Sequence, residues 1–153
     1  MLDYQRHIAV QTDDFDLAHE YQCLRSHSAT GAIVTFCGLV RDMNDGKDVT
    51  GLFLEHYPGM TEKTLDSIAD EAAKRWPLQA VRVIHRVGQM ALCDQIVFVG
   101  VASAHRGAAF DACEFIMDFL KSRAPFWKRE QTTQGEHWVE ARTSDQDALE
   151  RWT

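Results

Sequence analysis

Residues 95–104, Gln-Ile-Val-Phe-Val-Gly-Val-Ala-Ser-Ala, carry no charge and place apolar groups at successive positions, not alternate ones. The run is about half the roughly 20 apolar residues needed to cross a bilayer. It fits a strand buried on both faces at the centre of a sheet. The segment that follows, about 107–123, is apolar nearly all round: Asp111, Glu114, Asp118 and Lys121 form one narrow polar stripe at helical spacing. A helix of that kind is packed on most sides, and its stripe reads as a solvated face.

Other elements follow from periodicity. A short strand is predicted at 7–11, a helix at about 15–26, a strand at 31–41 and another at 49–57, with turn chemistry at Asn44-Asp45-Gly46 between them. The Asp42–Asp48 loop is read as a mobile cover. Residues 61–76 predict a helix capped by Thr61, with Asp70–Lys74 and Glu71–Arg75 as i,i+4 pairs. Strands at 80–87 and 95–103 flank a turn, 126–132 and 137–142 make a hairpin, and Ser144 caps a last helix over 144–152. Adjacent strands joined by turns favour an α+β fold with a mixed or antiparallel sheet. At 153 residues the whole of 1–153 reads as one domain.

Net charge is −7, which argues against a general nucleic-acid or membrane-surface binder. No apolar leader marks export, and four scattered cysteines without a C-x-x-C pair suggest neither zinc nor a disulfide framework; Cys37 and Cys113 read as core residues. The expectation is a cytoplasmic protein without metal or cofactor. No phosphate-binding Gly loop, H-E-x-x-H or G-x-S-x-G occurs. What remains are cations at element ends: Arg41 after a strand, His105-Arg106 between a strand and a helix, and Lys121, Arg123, Lys128 and Arg129 around Pro125. Any one of these alone is an ordinary surface residue. Together, in an acidic chain, they suggest a pocket for a phosphorylated small molecule. An ammonium held among other cations is disfavoured, which is one route to a reactive amine.

Four segments carry a resemblance. They are Leu54-Glu55-His56-Tyr57-Pro58-Gly59-Met60-Thr61-Glu62-Lys63, Val83-Ile84-His85-Arg86-Val87-Gly88, Val97 through Arg106, and Lys121-Ser122-Arg123-Ala124-Pro125-Phe126-Trp127-Lys128-Arg129-Glu130. In order and spacing they closely resemble the large, catalytic subunit of molybdopterin synthase, from about residue 29 onward; the first 28 residues match little. Cys37, where Thr is frequent, and Gly107-Ala108, where Ser is common, are mild departures.

The resemblance implies an α/β-hammerhead with an additional small β-subdomain. It also implies a homodimer within a heterotetramer, each subunit binding a small ubiquitin-like sulfur carrier with a C-terminal Gly-Gly thiocarboxylate. The implied reaction is sulfur transfer to cyclic pyranopterin monophosphate, giving the molybdopterin dithiolene. The family's pocket falls on Arg41, His105, Arg106, Lys121, Lys128, Arg129 and Arg142, with Lys121 central and Lys128 assisting. Phe126, Trp127 and Trp138 are candidate carrier anchors near the 126–142 hairpin. A non-catalytic scaffold would not need both lysines. A phosphoryl or acyl transferase would need a metal or a nucleotide loop that the sequence lacks.

Overall fold

A computed structural model of the chain describes residues 2–44, 46–139 and 143–153. The order is β1 (Gln5–Gln11), α1 (Leu17–Leu24), β2 (Ala32–Leu39), β3 (Met43–Asn44), β4 (Lys47–His56), α2 (Met60–Arg75) and β5 (Leu78–Arg86). Then come β6 (Gly88–Ala91), β7 (Gln95–Ser103), α3 (Arg106–Arg123), β8 (Phe126–Thr132), β9 (Gly135–Val139) and α4 (Thr143–Leu149), followed by a 3-10 turn at Glu150–Trp152. The fold is α+β with two sheets.

β7 is the inner strand its composition demands. The first sheet has the order β1-β5-β7-β2, with β1 parallel to β5 and the other neighbours antiparallel. On one face α2 and α3 cover Val81, Val99 and Val101 with Leu65, Ile68, Phe115 and Ile116. On the other, α1 and the segment before it cover Ile84, Phe98 and Ala102 with Phe15 and Leu24. α1 approaches so closely that a Cβ on Gly100 would stand 2.5 Å from Leu24 Cδ1, which explains the glycine in an otherwise branched strand. Phe15 lies just outside α1 and not in its first turn, because Asp16 is the N-cap and accepts from the Ala18 and His19 N–H groups.

The second sheet runs β3-β4-β8-β9, with β6 also paired to β4. Its inner face forms a separate apolar cluster of Val40, Leu52, Leu54, Val87 and Met90. The β5–β6 turn is made by Gly88 at φ 88°, a conformation that favours glycine. The segment read as a mobile loop contains a short hairpin: Met43 pairs with Asp48, and Asp42 accepts from the Val49 N–H through its carbonyl. Asp45 lies outside the described residues.

Several local expectations yield to longer-range contacts. Thr61 does not cap α2; its hydroxyl is buried, donating to the Tyr57 carbonyl and accepting from the Tyr57 N–H, while Glu62 accepts from the Gly59 N–H. Asp70 takes hydrogen bonds from Tyr4 and Arg6, and Glu71 pairs with Arg123. The stripe on α3 is not simply wet. Glu114 and Asp118 bind Arg151 at 2.6 and 2.7 Å, and Asp118 also accepts from the Trp152 indole N–H at 2.6 Å. The Trp152 ring meets Trp76 and Phe115 edge-on, so the C-terminal turn is fastened to α3. Among the described residues, no helix is long and apolar enough to cross a membrane.

Phe98 is fully buried at the heart of the sheet. Phe98→Ala should lower the unfolding free energy by about 3–5 kcal/mol. Urea melts should show this as a lower midpoint at unchanged slope.

Candidate active site

Where the two sheets meet, a cavity of about 380 Å³ opens among strands of both sheets and the end of α3. Val40 and Arg41 enter from the end of β2, His85 from β5, Met117 and Lys121 from the last turns of α3, and Phe126, Lys128 and Glu130 from β8. The strand period explains that last contribution. Side chains two apart share a face, so Phe126, Lys128 and Glu130 point inward while Trp127, Arg129 and Gln131 point away. Glu130 is fixed by the Asn44 side-chain amide, which donates to it at 2.8 Å. Ser144 and Asp145 from the start of α4 also line the cavity, and the Ser122 hydroxyl donates to the Asp145 carbonyl at 3.1 Å.

The residues singled out by the sequence separate into groups. Arg41, Lys121 and Lys128 come together in this cavity. His105 is the N-cap of α3 and Arg106 its first residue, while Lys121 lies in its last turn. At 1.5 Å of rise per residue, Arg106 and Lys121 stand roughly 22 Å apart on one chain. Arg129 sits on the opposite face of β8. It is ion-paired to Glu136 at 3.2 Å, with its guanidinium 4.8 Å from the Phe53 ring centroid and 5.5 Å from that of Trp138. Arg142 lies outside the described residues. Of the three aromatic anchor candidates, Phe126 is drawn inward and Trp127 and Trp138 are exposed.

Sequence reasoning missed His85, although its motif was in view. Val81, Val83 and His85 alternate along β5 on the face that α2 and α3 cover, so a histidine occupies an apolar position. It is 5% exposed and stacks on Phe126 with ring centroids 3.9 Å apart and planes at 21°. Its Nδ1 stands 2.9 Å from the Arg86 carbonyl oxygen, which can only accept, so Nδ1 carries the proton. Burial pushes its pKa down to about 3; of the nearby charges Lys128 adds most to this, then Lys121 and His56, against the carbonyl contact that favours the charged form. His85 is therefore neutral at physiological pH. Burial also holds the Cys113 thiol up at about 12 and raises that of Cys37, so neither supplies a thiolate. The chemistry available here is amine and guanidinium chemistry directed at an anion.

Residues 10–123 match the family model described as MoaE protein. The molybdopterin synthase catalytic subunit of Vibrio cholerae is 62% identical over 145 residues, 95% of this chain and 97% of that one. That alignment leaves no more than eight of the 153 residues outside it, so the likeness reaches well into the first 28, further than the four motifs indicate. Among solved structures, the molybdopterin biosynthesis MoaE protein of Burkholderia ambifaria is 52% identical, covers 97% of this chain and 98% of its own, and superposes with a TM-score of 0.83. A chain from the Helicobacter pylori complex of subunits 1 and 2 of molybdopterin-converting factor shares the fold at 20% identity, with 90% and 91% coverage and a TM-score of 0.71.

The depressed His85 pKa has a thermodynamic consequence. Unfolding releases an imidazole of ordinary basicity, so between pH 6.5 and about 3 the unfolded chain binds one more proton. The stability it supports is complete above pH 6.5 and is lost as pH falls, by up to ~1.4 kcal/mol per pH unit. His85→Phe, which keeps the stack on Phe126, should flatten the stability profile between pH 6.5 and 5. Urea melts across that range, compared with the parent chain, measure it.

Proposed function

The chain belongs to the MoaE protein family and acts as a molybdopterin synthase catalytic subunit, a sulfur-transferring enzyme of molybdenum-cofactor biosynthesis; from that premise we propose that the Lys121–Lys128 cavity is where the sulfur is transferred. The donor is the C-terminal thiocarboxylate of a small ubiquitin-like carrier, and the acceptor is cyclic pyranopterin monophosphate. The observation that carries the reading is that Arg41, Lys121 and Lys128, from the end of β2, the end of α3 and β8, line one cavity in a chain of net charge −7. The enzyme works in the cytoplasm.

Both partners are anions, and bringing a thiocarboxylate beside a phosphate raises a repulsion that fixed cations offset. Arg41 serves as a charge-assisted donor to the phosphate. Lys121 is the central group, moving a proton at the reacting carbon or at the carrier carbonyl, and Lys128 holds the substrate against it. In each transfer a carbon–sulfur bond forms on the pterin where a carbon–oxygen bond breaks, the oxygen leaving with the opened phosphate ester or as water, and the carrier's carbonyl–sulfur bond breaks. A water oxygen takes the place of the sulfur, leaving the carrier with a carboxylate, so one dithiolene uses two carriers. β2 is an outer strand whose exposed Phe36 and Leu39 lead to the cavity, so the carrier's extended tail enters along this edge. This route replaces the one near the 126–142 hairpin, where Trp127 and Arg129 face away from the cavity.

His105 and Arg106 cannot reach Lys121 of their own chain across roughly 22 Å. In a two-fold homodimer each pair lies at the partner's cavity, so two subunits complete two sites and, with two carriers, form a heterotetramer. Arg142 is assigned to substrate binding on the family resemblance alone, and Arg129 supports the site by fixing β8 against β9.

Lys121→Ala should keep its fold and its carrier binding and lose at least about 100-fold in product formation. The assay mixes purified chain, thiocarboxylated carrier and cyclic pterin, with the product oxidised and read by fluorescence; a wild-type rate would refute the role. Shared sites make a second prediction. Lys121→Ala and Arg106→Ala chains, each inactive alone, should recover about a quarter of wild-type activity when co-expressed, because half of the dimers are mixed and each mixed dimer has one intact site. No recovery would place His105 and Arg106 outside the site.

A further inference from the structure

Glu130 is out of place in a cavity that gathers Arg41, Lys121 and Lys128. A carboxylate facing inward repels both anionic partners unless something else calls for it. Among the described residues two carboxylates line the cavity, and they stand at different ends. Asp145 belongs to the α3 side, where its carbonyl accepts from Ser122, the neighbour of Lys121. Glu130 lies on the inward face of β8, about 7 Å along the strand from the stem of Lys128 and about 13 Å from that of Phe126. The cavity therefore runs from a cationic end to an acceptor end. Its walls are apolar: Leu52 and Leu54 of β4 lie opposite Glu130 and Lys128 in register, and Val49 and Val139 also line it. The Asn44 amide donates to Glu130 Oε1 at 2.8 Å and itself lines the cavity. An ionised carboxylate accepts about four hydrogen bonds, so the one from Asn44 orients it and leaves it able to take a ligand's donors.

We infer that Glu130, oriented by Asn44, binds the 2-amino-4-oxopyrimidine edge of the pterin and so sets which way round the substrate lies. The inference deepens the sulfur-transfer reading and rests on it for the identity of the substrate. That edge presents two N–H donors side by side, at N3 and the 2-amino group, as a guanidinium does, and a carboxylate takes such a pair through both oxygens. The phosphate lies at the other end of the fused rings, as do the carbons that receive sulfur. With the pyrimidine edge on Glu130, the flat rings pass along Leu52, Leu54 and Val139. The phosphate and the reacting carbons then reach Lys128, Lys121 and Arg41. The reverse orientation would set the phosphate against a carboxylate and the N–H pair against ammonium groups. Glu130 thus repels the wrong end of the substrate as well as attracting the right one.

Binding of two fluorescent probes tests it: a pterin with a side-chain monophosphate, and the matching lumazine, which has a 2-oxo group in place of the 2-amino group. The wild-type chain should bind the pterin at least about tenfold more tightly, because the 2-oxo group sets an acceptor against the carboxylate. Glu130→Gln keeps an acceptor for Asn44 and offers a donor to the ligand. It should weaken the pterin about tenfold and leave the lumazine no weaker, which cancels the preference. In the sulfur-transfer assay the same variant should raise KM for the cyclic pterin, with a smaller change in kcat and unchanged affinity for the carrier. A carboxylate that only fastened β3 to β8, or only balanced the charge of Lys128, would change both probes alike. Should Glu130→Gln fold poorly, Asn44→Ala, which removes the orienting amide, must reduce the preference instead. The proposal is overturned if the wild-type chain binds neither probe, if it binds both equally, or if the folded variant keeps the preference. Selective pterin binding by a wild-type chain that transfers no sulfur would end the sulfur-transfer reading and leave the subsite standing.

Discussion

β7 offers water almost nothing from Val97 to Ser103, so its sheet has to be covered on both faces, and the covering elements are those that carry the site. α3 lies on one face as a packed helix and ends with Lys121 at the junction of the two sheets. β5 and β2, the neighbours of β7, end at the same junction and deliver His85 and Arg41. The second sheet closes the cavity with β8. Cations are thus brought together by burying apolar surface elsewhere, and their mutual repulsion is set against a core of Val, Ile, Leu and Phe side chains.

The central strand, the four helices and the β8–β9 hairpin were legible because each has a strong period or a clear breaker. The central strand showed its double burial through unbroken apolar residues, and α3 showed its packing through the narrowness of its polar stripe. Where reading failed, a local rule met a distant partner. The i,i+4 pairing of Asp70 and Glu71 is sound helix chemistry, yet Tyr4, Arg6 and Arg123 take those carboxylates. β6, taken for a turn, is a strand because β4 is there to pair with it. Nothing near Glu114 or Asp118 in sequence announces Arg151 and Trp152.

The site was legible in part for a related reason. Residue type identified Lys121, Lys128 and Arg41, since cations gathered at element ends are conspicuous in an acidic chain. Adjacency in sequence was a poor guide to adjacency in space: Lys128 and Arg129 are neighbours and face opposite ways, whereas Phe126, Lys128 and Glu130 alternate and face together. His85 escaped because a histidine among valines and isoleucines reads as one more core position. Only the ring stack and the carbonyl contact separate it from that background.

α3 also acts as a length standard. Its 18 residues carry Arg106 at one end and Lys121 near the other, and a packed helix neither stretches nor bends to absorb a change in length. Removing a single residue from it would turn one end by about 100° against the other. The cation would swing out of its cavity, or Phe115 and Ile116 would swing out of the core. The helix can therefore accept substitution along its length but not insertion or deletion, which the turns around it can absorb because neither the core nor the spacing of the charges depends on their count.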